Sequence, residues 1–166
     1  MIPAAVMERY HLQSERYRDM RLYALVDGFQ YQKHTGSQIG SQPEITCALF
    51  AGTKDEPLAH AGPWLIDLAR ASAPQVATLA GLEAALPSVV WLITGTNIGT
   101  LAARLRPKLD ARLPDGTRAL LRFWDPRVLD SLCRSLARET RREFFGNVQE
   151  WDYMVDGKRY HLTEHA

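Results

Sequence analysis

The chain has 166 residues, 46% of them hydrophobic, which suits one globular domain with a sizeable core. A formal net charge of +1 argues against a dedicated nucleic-acid binder. No run of apolar residues is long enough for a membrane span, and residues 1–20 lack the layout of a signal peptide.

Residues 4–20 are polar with poor apolar periodicity, so residues 1–20 are expected to form a loosely docked N-terminal arm. Arg21–Gly28 (RLYALVDG) is the first strand, closing on an Asp-Gly turn signal. Residues 33–43 hold Gly, Ser and Pro with little to bury and read as a loop, followed by a strand over Ile45–Phe50. Thr53–Gly62 reads as an exposed loop and Trp64–Leu68 as a short strand. Ser72–Leu86 is a helix with Pro74 in its first turn and Val76, Leu79, Ala80 and Glu83 near one face; Pro87 ends it.

Val89–Thr94 (VVWLIT) is the most β-like run, with the look of a central strand covered on both sides. Residues 95–97 turn into a second helix bearing Ile98, Leu101, Ala102 and Leu105, which Pro107 closes. After the turn at residues 113–116, the apolar run Ala119–Trp124 predicts a buried strand. Asp125–Pro126 then predicts a helix start: aspartate accepts from free first-turn amides, and proline at the first position has no amide to leave unpaired. Val128, Leu129, Leu132, Cys133, Leu136 and Ala137 recur on one helical face, while Arg127, Asp130, Arg134 and Arg138 fall on the other. Phe144–Phe145–Gly146 ends the helical region, and Asp156–Gly157 joins Gln149–Val155 to Lys158–Leu162 in a hairpin. Seven strands and three main helices in mixed order give an α/β or α+β class. The expected architecture is a single domain over residues 1–166, with a mixed central sheet of about five to seven strands and a C-terminal β-hairpin.

Charge is unevenly placed. Residues 101–142 carry 11 Lys/Arg against 5 Asp/Glu, a local +6. A basic face is one reading; a solvated helix flank is the commoner one. Cys47 and Cys133 sit in apolar runs and read as small hydrophobes in a reducing cytoplasm; Cys47 has no basic neighbour in sequence.

No catalytic constellation stands out. Asp27, Asp67 and Asp125 end apolar runs, and strand-end carboxylates can converge on a divalent ion. The plainer alternative makes Asp125 a helix cap, Asp27 a turn residue and Asp67 the partner of an arginine. Histidines 11, 34, 60, 161 and 165 are scattered without metal-ligand spacing. Residues 94–99 (TGTNIG) lie where a phosphate loop would, yet lack its lysine and a third glycine. No catalytic residue, cofactor-binding residue or metal ligand is therefore assigned. Aromatic and arginine side chains near the strand ends are residue types enriched in binding hot spots, so binding is favoured over catalysis.

The segments LYALVDG (22–28), PWLIDL (63–68), residues 91–99, and above all LPDGTRALLRFWDPRVLDSL (113–132) followed by FFG (144–146), resemble the type VI secretion effector-chaperone family, also called adaptor proteins and long catalogued as a domain of unknown function. The most specific block is Arg122-Phe-Trp-Asp-Pro-Arg127. The resemblance implies a cytoplasmic, non-enzymatic bacterial factor that holds an effector toxin and helps load it on the secretion spike, a VgrG or PAAR-containing protein. It implies no cofactor, nucleic acid or membrane. Many members carry a long C-terminal extension, whereas this chain stops at Ala166. Asp125 and Pro126 are then the structural part of the motif, and Arg122, Arg127, Arg134 and Arg138 are the partner-binding candidates. Arg122 and Arg127 have a second option, an internal ion pair with Asp27 or Asp67. The alternative function is a metal-dependent hydrolase built on Asp27, Asp67 and Asp125.

Overall fold

The computed structural model describes residues 1–163. Eight strands alternate with six α-helices among them: α1 (Ala4–Arg16), β1 (Arg21–Asp27), α2 (Gly28–Thr35), β2 (Thr46–Ala48), β3 (Pro63–Asp67), α3 (Ala73–Ala85), β4 (Val89–Thr94), α4 (Ile98–Leu105), β5 (Asp110–Arg112), β6 (Arg118–Leu120), α5 (Pro126–Ser135), α6 (Arg138–Phe145), β7 (Glu150–Val155) and β8 (Lys158–Thr163). A six-stranded sheet runs in the order β2-β3-β1-β4-β7-β8, and β5 and β6 form a separate small hairpin. The expected class, strand number and terminal hairpin all stand. Strand direction is narrower than the expected mixture, because every pairing in the sheet is antiparallel.

Two cores follow from the strand alternation. Tyr23 and Leu25 of β1, with Leu65, Val90, Leu92, Trp151 and Tyr153, face Leu101, Leu105, Leu129 and Phe145 from α4, α5 and α6. Leu22, Ala24 and Val26, with Trp64, Ile66, Val89, Trp91 and Ile93, face Val6 of α1 and Leu79 and Leu82 of α3. Apolar residues at both parities of β1 and β4 are what burial on both faces requires. In the β7–β8 turn, Asp156 (φ 50°) and Gly157 (φ 73°) both take positive φ, as a type I′ connection demands.

Four local expectations change. The run 119–124 is not a buried strand: only Arg118–Leu120 pairs, in the exposed β5–β6 hairpin, and the chain then turns, with Asp125 N–H donating to the Arg122 carbonyl. Phe123 and Trp124 are buried by tertiary packing instead, Phe123 edge-on to Trp124, Phe144 and Trp151 at 5.8–6.4 Å between ring centres. The N-terminal residues form α1, with Val6 wholly buried and Arg9 and Gln13 bonded to Glu150. Helix α2 occupies the start of the stretch read as a loop, because Asp27 caps a helix rather than making a simple turn. The helical region after Pro126 breaks at Leu136, whose extended backbone (ψ 137°) separates α5 from α6. No helix among the described residues is long and apolar enough to cross a membrane.

Candidate functional site

The block 122–127 crosses the end of the sheet where β1 stops and β3 begins, since Asp27 lies opposite Pro63. Asp27 sits at its centre. One carboxylate oxygen accepts from Gln30 N–H at 3.0 Å and caps α2. The other accepts from Arg122 Nη2 at 3.1 Å and Trp124 Nε1 at 3.3 Å. The geometry leaves the anion inside and the cation outside: the Asp27 side chain is 3% exposed and that of Arg122 51%. Arg122 also lies over the Trp124 ring, 5.7 Å from its centre, a modest cation–π contact.

Asp125 repeats the pattern one helix later. Its Oδ1 accepts from Arg127 N–H at 2.9 Å, which caps α5, and from Arg127 Nε at 3.0 Å, while Oδ2 accepts from Nη2 at 2.8 Å. Asp125 is 8% exposed and Arg127 62%. The hydrogen bonds that Arg127 donates to Asp125 and the charge of Asp125, with a further pull from Asp27, raise the Arg127 pKa, so its cation is held firmly. Of the two internal partners considered for the motif arginines, Arg122 takes Asp27, and Arg127 takes neither Asp27 nor Asp67 but its own cap, Asp125.

Asp67 belongs to the far end of the sheet. It faces Tyr23, four positions from Asp27 along β1, or about 13 Å at the strand rise. There it accepts from Ala69 N–H at 3.0 Å and pairs with Arg21 at 3.6 Å. The three strand-end aspartates therefore do not converge, and no group of three or more His, Cys, Asp or Glu among the described residues is arranged to hold a metal ion. His165 lies outside the described residues.

The other arginine candidates lie on the α5–α6 flank. Arg134 Nε donates to Asp130 at 2.8 Å, and its guanidinium lies 5.9 Å from the centre of the Tyr160 ring. Asp130 also accepts from Tyr153 O–H at 3.1 Å. Arg138 opens α6, is exposed, and makes no ion pair among the described residues. The TGTNIG loop is occupied by its own contacts: Asn97 caps α4 through Thr100 N–H at 2.9 Å, and Arg104 donates to Thr96 at 2.8 Å. Cys47 does have a basic neighbour in space, Arg106, whose Nη2 is 3.5 Å from its sulfur.

Sequence reasoning missed a buried polar network on the α1–α3 side of the sheet. Glu83 accepts from Trp91 Nε1 and from Arg159 Nη2, both at 2.8 Å. Arg159 also donates to Asp152, whose second oxygen is buried without a partner. Glu150 receives Arg9 through two nitrogens and Gln13 at 3.0 Å. Burial pushes the Asp152 pKa up to about 6; the Arg159 hydrogen bond and charge oppose the rise, and Glu83 and Glu150 add to it. The signal was available: Glu83 stands on the apolar face of its helix, and Glu150 and Asp152 share one face of a β-strand.

Antiparallel six-stranded sheet, helices on both faces and a capped arginine motif define a single α/β domain. The chain belongs to the family described as domain of unknown function DUF4123, whose model matches residues 22–143 and so includes the whole motif junction. No curated protein and no solved structure matches it.

Proposed function

We propose that this protein is a non-catalytic cytoplasmic adaptor that binds a type VI secretion effector and helps load it on the VgrG- or PAAR-type spike. The observation that supports this reading best is the outward display of the motif arginines. The carboxylates of Asp27 and Asp125 are consumed inward as caps and ion-pair partners, whereas the guanidinium groups of Arg122 and Arg127 face solvent. Such an arrangement suits recognition of another protein and leaves no free carboxylate pair at the junction for acid–base work. The resemblance of RFWDPR to the effector-chaperone motif supports the same reading.

Arg134 and Arg138 are exposed cations of the flank and test the reading without disturbing the core. Arg134 pairs with Asp130 from the solvent side, one helical turn apart, a type of surface contact that contributes little to stability, so Arg134→Glu with Arg138→Glu should fold normally. Tagged protein recovered from its own host should bring down an effector or spike component. The double variant should associate with that component more slowly at low salt, with the difference fading as salt rises. Recovery of no secretion component would refute the adaptor role. Equal association rates across salt concentrations would remove this flank from the interface.

A further inference from the structure

Strand β8 forms one edge of the six-stranded sheet, with β7 as its single pairing partner. The two-residue turn at Asp156–Gly157 makes Val155 and Lys158 a hydrogen-bonded pair, and such pairs alternate along an antiparallel ladder. Lys158, Tyr160 and Leu162 therefore bond inward to β7, whereas Arg159, His161 and Thr163 turn their N–H and C=O groups outward. These outward groups have no hydrogen-bond partner among the described residues. The opposite edge is closed: β2 has three residues, and Arg106 takes the Ala48 and Leu49 carbonyls at 3.4 and 3.1 Å. By contrast β8 carries no proline and no bulge, the common devices against edge pairing, and its one lysine, Lys158, stands at the turn end. Tyr160 and Leu162 lie half-buried on its α5 side, Tyr160 stacked on Tyr153 with 5.7 Å between ring centres.

We propose that β8 pairs antiparallel with β8 of a second copy of this chain, about a two-fold axis at His161, joining the two sheets into one. Register decides the occupant, because β8 is its own complement. Centred on His161, every outward residue meets an outward residue: Arg159 meets the partner's Thr163, Thr163 the partner's Arg159, and His161 the partner's His161. Centred on Tyr160 instead, Thr163 would lose its strand partner and Lys158 would oppose the partner's Leu162. The His161 register also sets Tyr160 against the partner's Leu162. One row across the joined sheet then reads Tyr153, Tyr160, the partner's Leu162 and the partner's Trp151, apolar throughout. On the other face Arg159 opposes a threonine, and Lys158 stands about 20 Å along the strands from the partner's Lys158, so no two permanent cations are opposed. Dimerisation rests on the sheet edge alone and is independent of the adaptor reading.

Sedimentation of the purified full chain at pH 8, where imidazoles are neutral, should give a molar mass that rises with concentration from 18.7 kDa toward twice that value. His161→Pro removes the N–H at the centre of the new ladder and none that faces β7. Both copies lose that donor, so the dimer should weaken about tenfold or more. His161→Cys, at an exposed position, is a second readout that leaves the strand intact. In a hydrogen-bonded antiparallel pair the two Cα atoms stand about 5.5 Å apart, within reach of a disulfide. Mild oxidation should join two copies through position 161 and should not do so through Lys158→Cys, which is equally exposed.

A monomer at every concentration, an undiminished dimer in a folded His161→Pro protein, or joining through position 158 as fast as through 161 would overturn the proposal. So would oxidation in the native host that links position 161 to a different protein and not to a second copy, which would give the edge to a partner strand.

Discussion

Asp152 offers the sharpest physical test. Its carboxyl is buried on the inner side of β7, shares Arg159 with Glu83, and lies near Glu150. Three buried acids thus face two arginines, Arg9 and Arg159. Burial raises the Asp152 pKa from 3.8 to about 6 in the folded chain, equivalent to about 3 kcal/mol. The sign follows from which state holds the proton more tightly. For a carboxyl raised on folding, the folded state does, so stability is fully present below pH 3.8, declines as pH rises, and reaches its lower plateau above about 6. Asp152→Asn keeps the shape and an acceptor for Arg159 but cannot ionise. Denaturant unfolding of wild type and variant from pH 4 to pH 8 should give curves whose separation changes by about 2.5 kcal/mol in the variant's favour as pH rises. Repeating both in a His161→Gln background removes the imidazole that faces Asp152 across the β7–β8 pair. Curves that stay parallel to within about 0.5 kcal/mol would refute the reasoning, because Asp152 would then titrate alike in both states.

Three further outcomes are expected. Asp125→Ala removes the cap of α5 and the anchor of Arg127, so thermal melts should show a loss of about 0.5–2 kcal/mol; an unchanged melting temperature would deny Asp125 its structural role. Mg²⁺, Mn²⁺ or Zn²⁺ should leave the melting temperature unaltered, whereas a site filled at one hundred times its dissociation constant would add about 2.7 kcal/mol and revive a metal-dependent reading of the aspartates. Gly28→Ala should destabilise although alanine is the better helix former by about 1 kcal/mol, because the new Cβ would stand 2.7 Å from the Gly62 carbonyl oxygen and closer still to that of His60. A more stable Gly28→Ala protein in chemical denaturation would show that the backbone there can yield.

Legibility in the sequence followed how local each determinant is. Val89–Thr94 was readable because burial on both faces writes itself as a continuous apolar run. The Asp125–Pro126 cap and the Asp156–Gly157 turn were readable because one or two residues suffice for each. The run 119–124 misled because apolar residues register burial and not its cause: Phe123 and Trp124 are covered by Phe50, Phe144 and Trp151 from distant segments, with no strand pairing at all. Helix α2, with Gln, Lys and His along it, lacks the apolar stripe that announces a helix. Docking of α1 escaped for a related reason, since Arg9 and Gln13 secure it through polar bonds to Glu150, invisible to a hydrophobicity pattern. At the motif junction, Asp125 could be assigned from sequence, but the partners of Arg122 and Arg127 required the strand register that brings Asp27 to the same end of the sheet.

The union of Glu150 with Arg9 and Gln13 bears on the order of assembly. It closes a span of 141 residues, and β7 joins β4 across residues 95–149, which hold α4, the small hairpin, α5 and α6. Contacts this remote must close a long loop before they contribute, so they form later than local pairs. On the ribosome, β4 waits with one edge unpaired and Arg9 without its counter-ion until β7 has emerged. The N-terminal helix is thus made first and secured late, which gives the nascent chain an extended period with an open, apolar sheet edge.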